Sequence, residues 1–237
     1  MKIVVFTGAG MSKESGIDTF RDSGGTWEQH SVEDVATPRG WKKNRELVLE
    51  FYNARREQLK DVEPNEAHKL IASLEENHEV TVITQNVDDL HERAGSKNVI
   101  HLHGELTKAR SSVDPNLIYN VGYEPTKIGD KCDKDSQLRP HIVWFEEFPF
   151  GVPEAYGAIS ECDVLLIIGT TLFIEYTTHM LGSVRGLHNP NMGKAEVFFV
   201  DPNPPRILDH RVKDINYIEE PATVGVKKFV DGLNELV

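Results

Sequence analysis

The stretch VVFTGAGMSKESGIDTFRDSGGTW, residues 4–27, decides how the rest of the chain is read. An apolar run, Val4–Phe6, breaks at Gly8 and Gly10 and gives way to polar residues. That is the pattern of a buried strand ending in a tight turn. Glycines there carry no side chain to hold a ligand off the main chain. A helix starting near Ser12 would aim free N–H groups at the same spot, where a phosphate is a common guest. The turn is not a full GxGxxG, because Lys13 stands at the third glycine position. The continuation Ser15-Gly16-Ile17-Asp18-Thr19-Phe20-Arg21 is too polar for core and reads as a lid over a ligand. Arg21 within it suits a forked pair of hydrogen bonds to phosphate or carboxylate.

Further strand-like runs are Val80–Gln85, Val99–His103, Ile142–Phe145, Asp163–Gly169, Glu196–Asp201 and Asn216–Glu219. Most are continuous and rich in Val and Ile, as in a parallel sheet buried on both faces. Helical spacing marks Arg45–Val62, Asn65–Glu76, Asp89–Ala94, Pro153–Glu161, Thr177–Gly186 and Thr223–Leu236. Alternating strands and helices predict an α/β fold, a Rossmann-like doubly wound parallel sheet. Residues 28–78 add a helical module, and the polar, Pro- and Gly-punctuated residues 104–140 read as a smaller insert, all within one catalytic domain. Ligands of such sheets bind at the carboxyl ends of the strands, where Gly8, Gln85, His103 and Gly169 fall.

Net charge is −12, from 26 basic and 38 acidic residues, which argues against a nucleic-acid footprint. It suits solubility and cationic partners such as lysine-rich segments. Cys132 and Cys162 form no framework and no CxxC pair, so a reducing compartment is expected, and a cytoplasmic bacterial or an organellar protein fits equally. The amino-terminal run is no signal peptide, and Val164–Ile168 is far too short to span a bilayer, so no membrane partner is expected.

Polar residues cluster after the strands. Gln85, Asn86 and Asp88 crowd one strand end, with Asp88 also placed to cap a helix. His101 and His103 lie on one face of a strand. A metal pair lacks an obvious third ligand, leaving a general base or a core histidine holding a carbonyl. Gly169-Thr170-Thr171 ends a strand with small hydroxyls. Asp130, Asp133 and Asp135 lack the spacing of a calcium loop.

Taken in order, GAGMSKESGIDTFRDSGGTW, TQNVDDLHERAG, HLHGEL, LRPHIVWF and IIGTTL resemble the sirtuins, NAD-dependent protein lysine deacylases, from Val4 to about Val230. The resemblance implies NAD as cofactor and acyl-lysine proteins or peptides as partners, meeting between a Rossmann-like domain and a small one. It assigns the phosphate turn and cofactor loop to Gly8, Ala9, Gly10, Ser12, Gly16, Thr19, Phe20, Arg21 and Trp27. Gln85, Asn86 and Asp88 match residues holding the nicotinamide ribose and carboxamide, and Asn86 joins His103 in catalysis. His103, not His101, matches the base. Gly169, Thr170, Thr171, Asp201, Asn203 and Ala222 match the adenosine side, and Val143, Trp144 and Phe145 the peptide side. The implied reaction has the acyl oxygen attack the ribose carbon bearing nicotinamide, after which His103 activates a ribose hydroxyl. Its products are free lysine, nicotinamide and an O-acyl-ADP-ribose.

Tyr52 and Arg55 stand one helical turn apart and match the Tyr-x-x-Arg of sirtuins preferring succinyl- and malonyl-lysine. For an unrelated helix the pair is a solvated face beside Arg56 and Glu57. Residues 104–138 hold only Cys132, so the four-cysteine zinc site of many sirtuins cannot form; no metal is expected, and apolar contacts are expected to hold the insert. Glu146 stands where the family usually has Gly, and Ile174-Glu175-Tyr176 replaces its usual Val-x-Pro, in segments that normally clamp the peptide. Asp18 replaces a common Pro and Thr171 a common Ser. ADP-ribosyl transfer, NAD hydrolysis and non-catalytic NAD or ADP-ribose sensing stay open as alternatives on the same scaffold.

Overall fold

A computed structural model describes residues 1–17, 30–185, 195–210 and 212–235. Strand β1 (Lys2–Thr7) buries five of its six residues, and that two-sided burial places it inside the sheet. The sheet runs β3-β2-β1-β7-β8-β9, with β2 Glu79–Thr84, β3 Val99–His101, β7 Val164–Ile168, β8 Glu196–Val200 and β9 Ile215–Ile218. Every pairing in it is parallel. The chain steps outward from β1 to β3, then returns to lay β7 against the free side of β1. The strand order therefore reverses between β1 and β7, and a crevice opens there at their carboxyl ends.

Alternate residues feed the two faces. Val4, Phe6, Ile83, Leu165 and Ile167 join one core with α7 (Val152–Glu161) and α8 (Glu175–Gly182). Ile3, Val5, Val82 and Leu166 join the other with α5 (Glu66–Ser73) and α9 (Ala222–Glu235). Thus α5, grouped in the sequence with the helical module, covers the sheet instead. The module proper is α2 (Val32–Val35), α3 (Pro38–Lys43) and α4 (Arg45–Gln58). Side chains of Ser31, Thr37 and Asn44 cap the three, each accepting a backbone N–H in the first turn. Their apolar faces enclose Trp41, Val48, Phe51 and Tyr52 against Leu106 and Trp144.

The insert departs most from expectation. It is a three-stranded antiparallel sheet, β5-β4-β6, of β4 (Gly104–Ser111), β5 (Ile118–Asn120) and β6 (Leu138–Ile142). The strand expected over Ile142–Phe145 is therefore shifted back, and residues 143–147 form a turn with Glu146 left-handed at φ 74°. Glu147 draws that turn in. Its carboxylate accepts from Arg139 Nη1 at 2.7 Å, Arg110 Nη2 at 3.0 Å and the Trp144 backbone N–H at 2.9 Å. Apolar contact in the insert is slight, centred on Ala109, Cys132 and Leu138. Polar bonds do more than expected: Ser111 Oγ accepts from the N–H groups of Val113 and Asp114. Arg56 fastens the insert to α4. It is fully buried, and donates to the carbonyls of Leu106 at 2.6 Å and Glu124 at 3.0 Å. Among the described residues no helix is long and apolar enough to cross a membrane.

His68 on α5 is fully buried with neither ring nitrogen bonded, its ring centroid 4.8 Å from that of His91. Burial pushes its pKa down from 6.5 to about 4, against a weaker pull from Glu92. The unfolded ring takes a proton near pH 6.5 that the folded ring refuses until about pH 4. The resulting stability is complete above pH 6.5 and drains as pH falls toward 4, by about 1.4 kcal/mol per unit. Urea unfolding at pH 5 should therefore give about 2 kcal/mol less stability from this one ring than at pH 7. His68→Leu should flatten the dependence by that amount; an unaltered slope would exonerate His68.

Candidate active site

The crevice begins with three glycines. A Cβ on Gly8 would lie 2.7 Å from the Gly169 oxygen, one on Gly10 2.6 Å from Gly169 Cα, and one on Gly169 2.5 Å from the Met11 nitrogen. Gly169 is also left-handed, at φ 59°. The glycines are thus required first by two backbones pressing together, and only then by anything that docks beside them. The N–H groups expected to stand free are spent. Gly8 donates to Ile168 O at 3.0 Å, Gly10 to Gly169 O at 2.9 Å, Met11 to Gly8 O at 3.0 Å and Ser12 to Ala9 O at 3.2 Å. The helix they open, α1, is short and starts at Gly10 rather than Ser12 (Gly10–Lys13).

Across the crevice, Ser12 Oγ donates to Asp88 Oδ2 at 2.9 Å and accepts from Asn86 Nδ2 at 3.0 Å. The second Asp88 oxygen accepts the Leu90 N–H at 3.2 Å, at the start of α6 (Leu90–Ala94). Asp88 thus both steadies the helix and faces the crevice. Burial pushes its carboxyl above the usual range, opposed by the bonds from Ser12 and Leu90. Thr170 Oγ1 donates to Gln85 Oε1 at 2.9 Å, tying the β7 turn to the β2 end. Below them Thr7 Oγ1 donates to Thr84 Oγ1 at 2.8 Å and meets His91 Nε2 at 3.2 Å. Ala9, Ser12, Arg55, Asn86, Asp88 and Leu106 line one cavity here.

The two histidines separate electrostatically. Both brace a backbone carbonyl through Nδ1, His101 that of Asn86 at 3.3 Å and His103 that of Gln85 at 2.9 Å. His101 Nε2 lies 2.6 Å from Glu92 Oε1. Burial alone would lower its pKa, but Glu92, then Glu105, raise it above 6.5. Among the described residues His103 meets no carboxylate; burial lowers its pKa, opposed by the Gln85 carbonyl. At neutral pH His103 is therefore the ring with a basic lone pair, on Nε2. The fold supplies ligand-type atoms that the sequence hid, since Glu92, His101 and Glu105 lie within 4.8 Å of one another. Glu92 already bonds His101 and Glu105 pairs with Lys108, so each carboxylate has a partner within the fold.

Tyr52 is buried, and its hydroxyl accepts the Trp144 indole N–H at 3.1 Å. Burial raises the phenol's pKa to about 12, so it stays protonated. Arg55 turns from solvent into the cavity that Asp88 also lines, its guanidinium 5.6 Å from the Phe51 ring centroid. The helix face expected to be solvated in an unrelated chain is thus an inner wall here, as Arg56 also shows. Val143 N–H donates to the His103 carbonyl at 2.9 Å. Trp144 is buried under Arg139, whereas Phe145 is 56% exposed.

On the other side Thr171 is exposed, Asp201 Oδ1 accepts the Asn203 N–H at 2.8 Å, and Ala222 is buried at the head of α9. Gly16 is left-handed and open. Asp18, Thr19, Phe20, Arg21 and Trp27 lie outside the described residues. Sequence reasoning missed Arg56, the Glu147 cluster and the Tyr176 hydroxyl, which stands 2.8 Å from His103 Nε2. Only the departure from Val-x-Pro drew attention to Tyr176.

The glycine turn, the Gln85–Asp88 cluster and His103 fall inside residues 8–175, which the sequence model of the Sir2 family matches. The chain belongs to the Sir2 family. Its Sir2 relatives include an NAD-dependent protein deacylase of Bacteroides thetaiotaomicron, 48% identical over 233 residues, 96% of this chain and 95% of that one. An NAD-dependent protein deacylase of Helicobacter pylori is 43% identical over 234 residues, 99% of this chain and 98% of that one. A solved Sir2 homologue in complex with NAD superposes with a TM-score of 0.84 at 32% identity, covering 99% of this chain and 90% of that one. The Rossmann-like parallel sheet is the one expected of a Sir2 protein.

The two rings make a direct check. Titration followed by NMR should put His103 below 6.5 and His101 above it, and Glu92→Gln should bring His101 down while leaving His103 in place. Reversed midpoints would undo the assignment of the neutral ring.

Proposed function

We propose that the chain is an NAD-dependent protein-lysine deacylase that removes succinyl and malonyl groups, and acetyl groups less well. The neutral His103, braced by Gln85 beside the Ser12–Asn86–Asp88 cluster, is the observation that carries it. The relatives named NAD-dependent protein deacylases supply the activity class.

The residues present suit the dinucleotide. Gly8, Gly10 and Gly169 leave the crevice floor without side chains, and Ser12, Gln85, Asn86 and Asp88 stud it with donors and acceptors for ribose hydroxyls and a carboxamide. Ala9, Gly16, Thr170, Thr171, Asp201, Asn203 and Ala222 would complete the wall toward the adenosine end, and the family resemblance assigns Thr19, Phe20, Arg21 and Trp27 to the cofactor as well. When bound, NAD supplies an electrophilic sugar carbon with nicotinamide as leaving group. The chain's own part is to hold His103 as a neutral base aimed by its Nδ1–H on Gln85. Val143, Trp144 and Phe145 would border the peptide, Trp144 through its backbone because its ring is buried.

Selectivity for acidic acyl groups follows from α4. Tyr52 spends an oxygen lone pair on Trp144 and keeps its own O–H to donate, while Arg55 presents a cation from the next turn. A phenol proton and a guanidinium on one face can read a carboxylate; an acetyl group offers neither of them a partner.

Mass spectrometry of succinyl-, malonyl- and acetyl-lysine peptides incubated with NAD should give O-acyl-ADP-ribose. His103→Ala should lose that product while still binding NAD. Labelled protein or free ADP-ribose instead would mean transfer or hydrolysis, and no turnover would mean a sensor. Arg55→Met should lower kcat/KM for succinyl-lysine by the worth of a charge-assisted bond, about 2–3 kcal/mol, and leave acetyl-lysine nearly unaffected. Equal losses on both peptides would refute the carboxylate contact.

A further inference from the structure

The atom that the proposed chemistry needs is already engaged. His103 Nδ1 lies 2.9 Å from the Gln85 carbonyl oxygen, which can only accept, so Nδ1 carries the ring proton. The neutral ring then has a single lone pair, on Nε2. The Tyr176 hydroxyl is 2.8 Å from Nε2 and must be the donor in that bond. The two rings meet edge-on, 6.4 Å apart at 80°. Tyr176 stands in the first turn of α8, packed by its ring against the adjoining core. The five residues before α8, 170–174, have neither helix nor strand, and Leu172 among them is left-handed at φ 51°. A leucine in that region is locally strained.

We propose that Tyr176 is a gate on the base: its phenol and the ribose hydroxyl of a bound dinucleotide are rival donors for one lone pair on His103, so the phenol must turn away before the base can act. This role depends on the deacylase reading. One hydrogen bond is exchanged for another; no proton changes owner in the exchange. While the phenol holds Nε2, the base is shielded from water as well as from the sugar. The apparent affinity for dinucleotide is lowered by the fraction of molecules in which the phenol has left. The gate also assigns a purpose to the departure at position 176, since a residue without a hydroxyl there has nothing to donate.

Tyr176→Phe keeps the ring and its packing and removes only the donor. Calorimetric titration with NAD should show binding about two- to tenfold tighter than in the unaltered chain, the worth of one neutral hydrogen bond, with KM for NAD falling in step. Unchanged affinity in a variant and parent that both deacylate would overturn the gate and leave the deacylase reading standing. Unchanged affinity with reduced kcat would make Tyr176 a proton carrier and also overturn it. If the unaltered chain binds no NAD at all, gate and deacylase reading fall together.

Discussion

Two stretches of main chain touch where β1 and β7 end, and the rest of the crevice is built outward from that contact. Gly8 and Gly10 on one side and Gly169 on the other approach so closely that no Cβ fits between them. This contact holds Thr170 where its hydroxyl reaches Gln85. The Gln85 backbone in turn braces His103. A path of short contacts thus runs from a steric requirement to the orientation of an imidazole. Side chains can drift by rotamer; a backbone apposition cannot, and the residues hung from it inherit its rigidity.

Burial sorts the ionisable groups of the site into distinct roles. β3 closes at His101, two residues short of the strand end expected at His103, yet among the described residues the first ring has a carboxylate against it and the second has none. The first is drawn toward the cation, the second toward the neutral ring. The same logic works at Glu147, where two buried arginines keep the carboxylate well ionised despite burial, with Arg139 lying 3.3 Å over the Trp144 ring. That triad shapes the turn carrying Val143, Trp144 and Phe145. Breaking it by one member would leave a charge stranded, which costs far more than an exposed pair.

How legible these features were depended on how local their causes are. The strands of the large sheet appear close to their expected ends, because apolar runs such as Ile3–Phe6 and Val164–Ile168 are stable chiefly as strands covered on both faces. The insert was not legible as a sheet. Nothing in Leu138-Arg139-Pro140-His141-Ile142 advertises a strand until Glu147 neutralises Arg139 and β4 pairs beside it. Arg56 looked like surface because its partners, Leu106 and Glu124, lie 50 and 68 residues away. The glycines were found for a reason that came second: ligand approach was inferred, whereas Gly169 was the nearer neighbour. His103 could be singled out over His101 only through a family likeness, since the sequence places both in one strand-like run; the carboxylate that distinguishes them comes from α6.

The carboxylate of Glu14, just past α1, accepts the Thr223 N–H at 2.9 Å and the Thr223 hydroxyl at 2.7 Å. The closing helix is therefore capped by a residue 209 positions upstream. The turn after β1 cannot be latched by its neighbours in sequence, since both its β7 partner and this clasp lie far downstream. Closure of the crevice is consequently a long-range event, with an entropic cost set by a loop 209 residues long.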